Sequence, residues 1–221
     1  MPTEDAPLPE PNGQRSPRGW HSRGYLPHFD GGRECPQAVT FRLADSVPVT
    51  VVDAWISELE SHPSQKRETE LRKRIDAFLD AGYGGCHLRS PHIATLVEDA
   101  LLFFDGPRYH LHAWVVMPNH VHALFTPALG WNLSDIVGSW KSFTSKEVNK
   151  LLGRTGKFWQ EDYFDRFIRD EEHFGTVVNY IEANPVKARL CDKPEQWRFG
   201  SACRRTSNAD VDAGETPAVP G

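Results

Sequence analysis

Residues 109–127, "YHLHAWVVMPNHVHALFTP", constrain this chain more than any other stretch. Two strand-like runs, 109–117 and 120–127, flank Pro118-Asn119. Apolar, aromatic and β-branched runs on either side of a turn dipeptide predict an antiparallel hairpin. Pro-Asn points to a type I turn rather than the tighter Asn-Gly kind. A fold built around such a hairpin needs further elements to cover it. "QAVTFRLA" (37–44) reads as one more strand. Helical spacing follows over 48–80, through Val52, Trp55, Ile56, Leu59, Leu71, Ile75, Phe78 and Leu79. His62-Pro63 interrupts it, so it is either one kinked helix or two.

Three more helices are predicted: 92–106, stopped by Gly106; 132–153, with Asn132 or Ser134 as N-cap and Gly153 near the C-cap; and 171–185, ended by Pro185. The order is roughly β-α-α-β-β-α-α. Long helices with a few antiparallel strands predict an α+β fold, a sheet covered by helices on one face.

The 221 residues are 39% hydrophobic, enough for one globular domain with tails. Residues 1–19 and 201–221 are rich in Pro, Gly and polar residues and are expected to be disordered tails around a domain at 20–200. No run approaches the ~20 apolar residues that span a bilayer, and the N-terminus lacks a signal-peptide core, so a cytoplasmic protein is expected. Cys35, Cys86, Cys191 and Cys203 lie far apart with no CxxC pair, against a disulfide framework or a Cys-rich zinc site. A net charge of −5 argues against a sequence-independent duplex binder, but not against a narrow basic groove for a single strand.

Side chains at i and i+2 of a strand share a face, ~6–7 Å apart at the backbone. His120 and His122 therefore project together and can reach one divalent cation, while Val121 points into the core. His110 and His112 have the same spacing on the preceding strand, and spacing alone cannot choose between the pairs. Later, "VVNYIEANP" places Tyr180 and Asn184 at i and i+4 on one helix face, a phenol beside an amide oxygen able to ligate a hard ion. The alternative is a core tyrosine with an asparagine closing the helix before Pro185. Phosphoryl transfer to a tyrosine, assisted by a metal, is the chemistry that joins these groups.

Taken together, "WVVMPNHVHALF", "FWQEDYFDRFIRDEEHF" and "YIEANPVKARL", in this order and spacing, resemble the IS200-like tyrosine transposases, and within them the branch associated with repetitive extragenic palindromes, or REP elements. "RGYLPHFDGGRECPQAVTFRLADSVP" (23–48) resembles that branch's N-terminal strand. The likeness covers roughly residues 20–200. It implies a ferredoxin-like α+β domain with the H-x-H strand central in an antiparallel sheet. It puts the family's metal-binding motif on His120 and His122, its nucleophile on Tyr180 and its third ligand on Asn184. His110 and His112 are then bystanders.

The implied activity is that of an HUH-type transposase: cleavage and rejoining of single-stranded DNA at palindromic hairpins, through a 5′-phosphotyrosine with a free 3′-OH. Mg²⁺ or Mn²⁺ is the implied cofactor, and a monomer or homodimer the implied assembly. A domesticated relative that holds REP hairpins without cutting them is the alternative. A phosphodiesterase acting on small molecules is a third reading.

Tyr163 is the rival nucleophile, set between Asp162 and Asp165, which would raise its pKa in the unhelpful direction. DNA contacts are sought at Lys141, Lys146 and Lys150, and at Arg166, Arg169, Lys187 and Arg189; Lys146 and Lys150 form one i,i+4 stripe. Trp140 and Trp159 are either base-stacking platforms or core residues. Arg15, Arg18 and Arg23 form a potential flexible arm.

Overall fold

The structure is a computed structural model that describes residues 19–23, 26–30 and 35–214. Residues 1–18 and 215–221, which carry most of the expected tails, lie outside the described residues, as do Arg15 and Arg18.

A short antiparallel pair, β1 (Gly19–Arg23) and β2 (Leu26–Asp30), precedes the main sheet. The main sheet contains β3 (Gln37–Arg42), β4 (Tyr109–Val116), β5 (His120–Pro127) and β6 (Phe164–Phe167) in the order β4-β5-β3-β6, with every pairing antiparallel. β5 is thus an inner strand, as the resemblance implied. Its hairpin with β4 is closed by the Met117 N–H donating to the His120 carbonyl at 2.9 Å. Neither Pro118 nor Asn119 has a positive φ, which agrees with a turn other than the Asn-Gly kind.

The helical region after β3 is two helices, α1 (Val49–Leu59) and α2 (Ser64–Asp80), broken at His62-Pro63. Next come α3 (Pro91–Leu102), α4 (Leu133–Leu151), α5 (Glu171–Lys187) and α6 (Ser201–Gly214). Among the described residues, no helix is long and apolar enough to cross a membrane.

The α+β class and the antiparallel sheet are as expected, but covering helices on one face only is not what the chain does. Val39 and Phe41 of β3, with Val121, Ala123 and Phe125 of β5, face α3 and α4. Ala38 and Leu124 point the other way, onto Val177 and Ile181 of α5. β3 is buried along its whole length and β5 nearly so. A strand covered on both faces reads as a continuous apolar run, so its pattern cannot reveal how many layers cover it.

Three boundaries also differ. α5 runs through Pro185 to Lys187. The proline costs one helical hydrogen bond close to the helix end, where carbonyls lack intrahelical partners in any case. β6, within "FDRF", escapes a sequence reading because a short edge strand carries little periodicity. Residues 201–214, expected as the start of a disordered tail, form α6. Ser201 is buried and its hydroxyl donates to Glu182 Oε1 at 2.5 Å, while Arg205 pairs with the same carboxylate. Polar tethers of this kind leave no hydrophobic period to read.

Candidate active site

The register of β3 on β5 sets Thr40 directly opposite His122 and Arg42 opposite His120. Both histidines are buried, on the sheet face that α5 covers. Their Nε2 atoms lie 3.0 Å apart and their rings meet at 87°.

The hydrogen-bond network fixes one imidazole. Asn119 donates its amide protons to the carbonyls of Leu79 and Tyr83, at 3.1 and 3.0 Å. Its Oδ1 must therefore accept, and the partner at 2.7 Å is His120 Nδ1. His120 thus carries its proton on Nδ1 and presents a lone pair at Nε2. The carbonyls that hold Asn119 come from the end of α2 and the turn after it. Gly84 in that turn has φ +86, and a Cβ there would sit 2.8 Å from the Asp45 carbonyl oxygen.

His122 Nδ1 is 2.7 Å from Thr40 Oγ1. Facing the His120 lone pair at 3.0 Å, His122 Nε2 carries the proton and Nδ1 accepts from the Thr40 hydroxyl; because a hydroxyl can also accept, the tautomer can reverse when Nε2 takes an ion. Burial drives both imidazoles toward the neutral form. His120 falls to about 3, by burial first and then the Lys187 charge. His122 drops well below its ordinary value through burial, His120, Arg72 and Lys187.

α5 brings the other two candidates. The Tyr180 ring packs edge-on against His122, with centroids 5.7 Å apart. Asn184, one turn on, is buried and donates its amide to the Tyr180 carbonyl at 3.0 Å. That orients Oδ1 as the free end, and Oδ1 is buried without a hydrogen-bond partner. A buried amide oxygen left unpaired is costly. Two imidazoles and an orphaned amide oxygen are donor types that suit a divalent cation. Among the described residues, no three His, Cys, Asp or Glu side chains are placed to hold a metal ion.

Tyr180 is 37% exposed and borders a cavity of about 280 Å³, shared with Thr40, Arg72, Asp76, His122 and Arg166. Its hydroxyl donates to Asp76 Oδ2 at 3.4 Å. Burial, then the Asp76 charge, lifts the phenol pKa above its ordinary range, against a lowering pull from the Asn184 side chain.

Of the remaining candidates, Arg166 lines this cavity. Lys187 reaches the same neighbourhood, 5.8 Å from the Tyr180 ring centre and paired with Asp80 at 2.8 Å. Lys141, Lys146 and Lys150 lie on α4, across the sheet from α5. Lys141 donates to the Glu161 carbonyl at 2.6 Å. Arg169 and Arg189 are exposed. Trp159 does not serve as a stacking platform: it is 5% exposed, packs on Phe41 and donates to Thr144 Oγ1. Trp140 is core as well, and so is Tyr163, the rival nucleophile.

Sequence reasoning missed Thr40, Asn119, Arg72 and Asp76. Thr40 and Asn119 became visible only through strand register and the turn. Arg72, Asp76 and Asp80 recur every four residues on α2, a readable stripe, but nothing in the sequence aims it at α5.

Residues 104–184 match the family described as "Transposase IS200 like". The REP-associated tyrosine transposase of Escherichia coli (strain K12) is 29% identical over 97 residues, which is 44% of this chain and 56% of that protein. The chain thus spans little more than half the length of this curated relative. A solved structure of a REP-associated tyrosine transposase bound to a REP hairpin aligns over 91% of this chain and 90% of its own, at 19% identity and a TM-score of 0.49. The matched stretch, residues 104–184, runs from just after α3 through both buried histidines and Tyr180 to Asn184.

Proposed function

We propose that the protein cleaves and rejoins single-stranded DNA folded into REP-like palindromic hairpins, with Tyr180 as the nucleophile and residues 20–200 as the catalytic unit. The observation that carries this reading is the meeting of His120 and His122 on β5 with Tyr180 on α5 beside one open cavity. His120, His122 and Asn184 would hold Mg²⁺ or Mn²⁺, an ion that when bound polarises the scissile phosphate and offsets its developing charge.

The chain's own groups do the rest. Asn119 and Thr40 fix the orientation of the imidazoles, as outer partners of ligating histidines do. The edge-on contact with His122 holds the Tyr180 ring in place. Arg166 and Lys187 supply positive charge near the phenol for the incoming backbone, where phosphate contacts set strand position. Lys141, Lys146 and Lys150 belong to a second basic surface across the sheet, suited to a hairpin stem rather than to the cleaved strand. The Tyr180 oxygen attacks phosphorus, the 3′ oxygen departs, and a 5′-phosphotyrosine remains. That linkage keeps the bond's energy, so rejoining needs no ATP.

The test is incubation of the full chain with single-stranded hairpin oligonucleotides, taken from the palindromes flanking its coding region, and Mn²⁺. A covalent protein–DNA band that vanishes in Tyr180→Phe is the expected result. Survival of that band in the variant overturns the nucleophile assignment. Tight hairpin binding with no band under either ion favours the non-cleaving binder instead.

A further inference from the structure

α2 lies outside the stretch that matches the family, yet it presents an acid to the candidate nucleophile. Asp76 Oδ2 is 3.4 Å from the Tyr180 hydroxyl oxygen and 4.0 Å from Arg72 Nε. Its Oδ1 is buried without a hydrogen-bond partner, while Oδ2, which faces the phenol, is the oxygen placed to take its proton. The carboxylate sits in the wall of the Tyr180 cavity, its side chain 16% exposed. We propose that Asp76 is the general base for Tyr180, accepting the phenol proton as the phenol oxygen bonds to phosphorus. The proposal rests on the reading of Tyr180 as nucleophile.

The step balances as follows. The Tyr180 O–H bond breaks and its proton moves to Asp76. The new P–O bond forms as the bond to the 3′ oxygen breaks, and that oxygen takes a proton from solvent water. In rejoining, a 3′-OH attacks the phosphotyrosine, loses its proton to water, and Asp76 returns the stored proton to the departing phenol. One carboxylate therefore serves both directions.

The surroundings favour this exchange. Burial raises the Asp76 carboxyl above the ordinary carboxylate range, against the opposing pull of Arg72. That makes it a stronger base than an exposed aspartate. Arg72 offsets the repulsion between the Asp76 carboxylate and an approaching phosphate. The other charged or titratable groups around Asp76 are Lys73 and Asp80 on α2, Lys187 and His173 on α5, His122 on β5 and Arg166 on β6. Lys187 is paired with Asp80, and burial holds His122 neutral.

Asp76→Asn keeps an acceptor for the phenol but removes the base, and Asp76→Glu keeps a carboxylate. The probe is the same hairpin oligonucleotide with Mn²⁺, with adduct formation followed over pH 5 to 10, alongside hairpin affinity and melting temperature. Asp76→Asn is expected to slow adduct formation and rejoining at least ~100-fold near neutral pH, with affinity and melting temperature unchanged. Its rate should keep climbing toward the phenol's own ionisation, whereas the native rate levels off once Asp76 is ionised. Asp76→Glu should recover part of the rate and the levelling. If Asp76→Asn melts early, the Asp76→Glu profile decides: loss of the levelling with a carboxylate in place overturns the proposal. An Asp76→Asn protein with the native rate and profile overturns it too, while leaving Tyr180 as nucleophile. If the native chain forms no adduct at all, the nucleophile reading falls and takes this proposal with it.

Discussion

Two histidine pairs with identical spacing sit on adjacent strands of one hairpin and come to different ends. His120 and His122 lie next to the turn, buried, with ring centroids 4.7 Å apart. His110 and His112 lie at the open end, 5.2 Å apart. His110 has 75% of its side chain exposed, near Asp105, and His112 is spent on Thr126 Oγ1 at 2.8 Å.

The backbone makes the difference. Pairing slips between Leu111 and Ala113, a bulge that leaves His112 without an opposite residue. Tyr109 and Leu111 face α3 and α4, whereas Ala113 and Val115 face α5. Beyond that bulge, the buried pair is fixed from behind by Asn119 and Thr40. Spacing offers two imidazoles to one face; register, burial and outer partners decide whether they can act together.

The sharpest way to break this comparison is covalent chemistry. Tyr180→Phe should abolish the protein–DNA adduct on a denaturing gel, while His110→Ala leaves it intact. Next, His120→Ala or His122→Ala should lower metal-dependent adduct formation by at least ~100-fold, more than the ~10–100-fold that loss of an outer partner costs. His112→Ala should stay within about twofold of native, since surface and rim changes are mild. A larger loss at His112 than at His120 would reverse the assignment of the pairs.

Thr40→Val should weaken Mn²⁺ binding ~10–100-fold, measured by titration calorimetry, by removing the acceptor that lets His122 free its Nε2. The buried pair should also show in stability. The His120 pKa is depressed to about 3, so its stabilising contribution is complete above ~6.5 and is lost as pH falls toward 3. Between pH 7 and 5 the chelated protein should lose ~2 kcal/mol from this imidazole alone in urea unfolding. Asp76, whose pKa is raised, works with the opposite sign over the acid end of that window. A stability that does not fall toward pH 5 would mean the pair is not held neutral. The smallest effect belongs to His110→Ala, within about 0.5 kcal/mol of native in the same assay.

Much of the fold was legible. The hairpin, β3, the break at His62-Pro63 and the cores of α3, α4 and α5 all follow from alternation, helical spacing and punctuation. Less legible were β6, which is too short for a period, and α6, whose hold on the body is Ser201 and Arg205 on Glu182. Within the site, the motifs pointed to His120, His122, Tyr180 and Asn184. Trp159 was misjudged as a possible stacking platform because an indole in a polar stretch reads the same whether it points out or, as here, into the core.

The sequence by itself determined which side chains share a local face: His120 with His122 through the strand period, and Tyr180 with Asn184 through the helix period. These are short-range consequences of backbone geometry. Only the tertiary structure decided that the two faces meet, that Thr40 and Asn119 orient the imidazoles, and that α2 turns Asp76 toward Tyr180. Such contacts join residues far apart in the chain. They are set by register and by packing on both sides of the sheet, which no local period encodes.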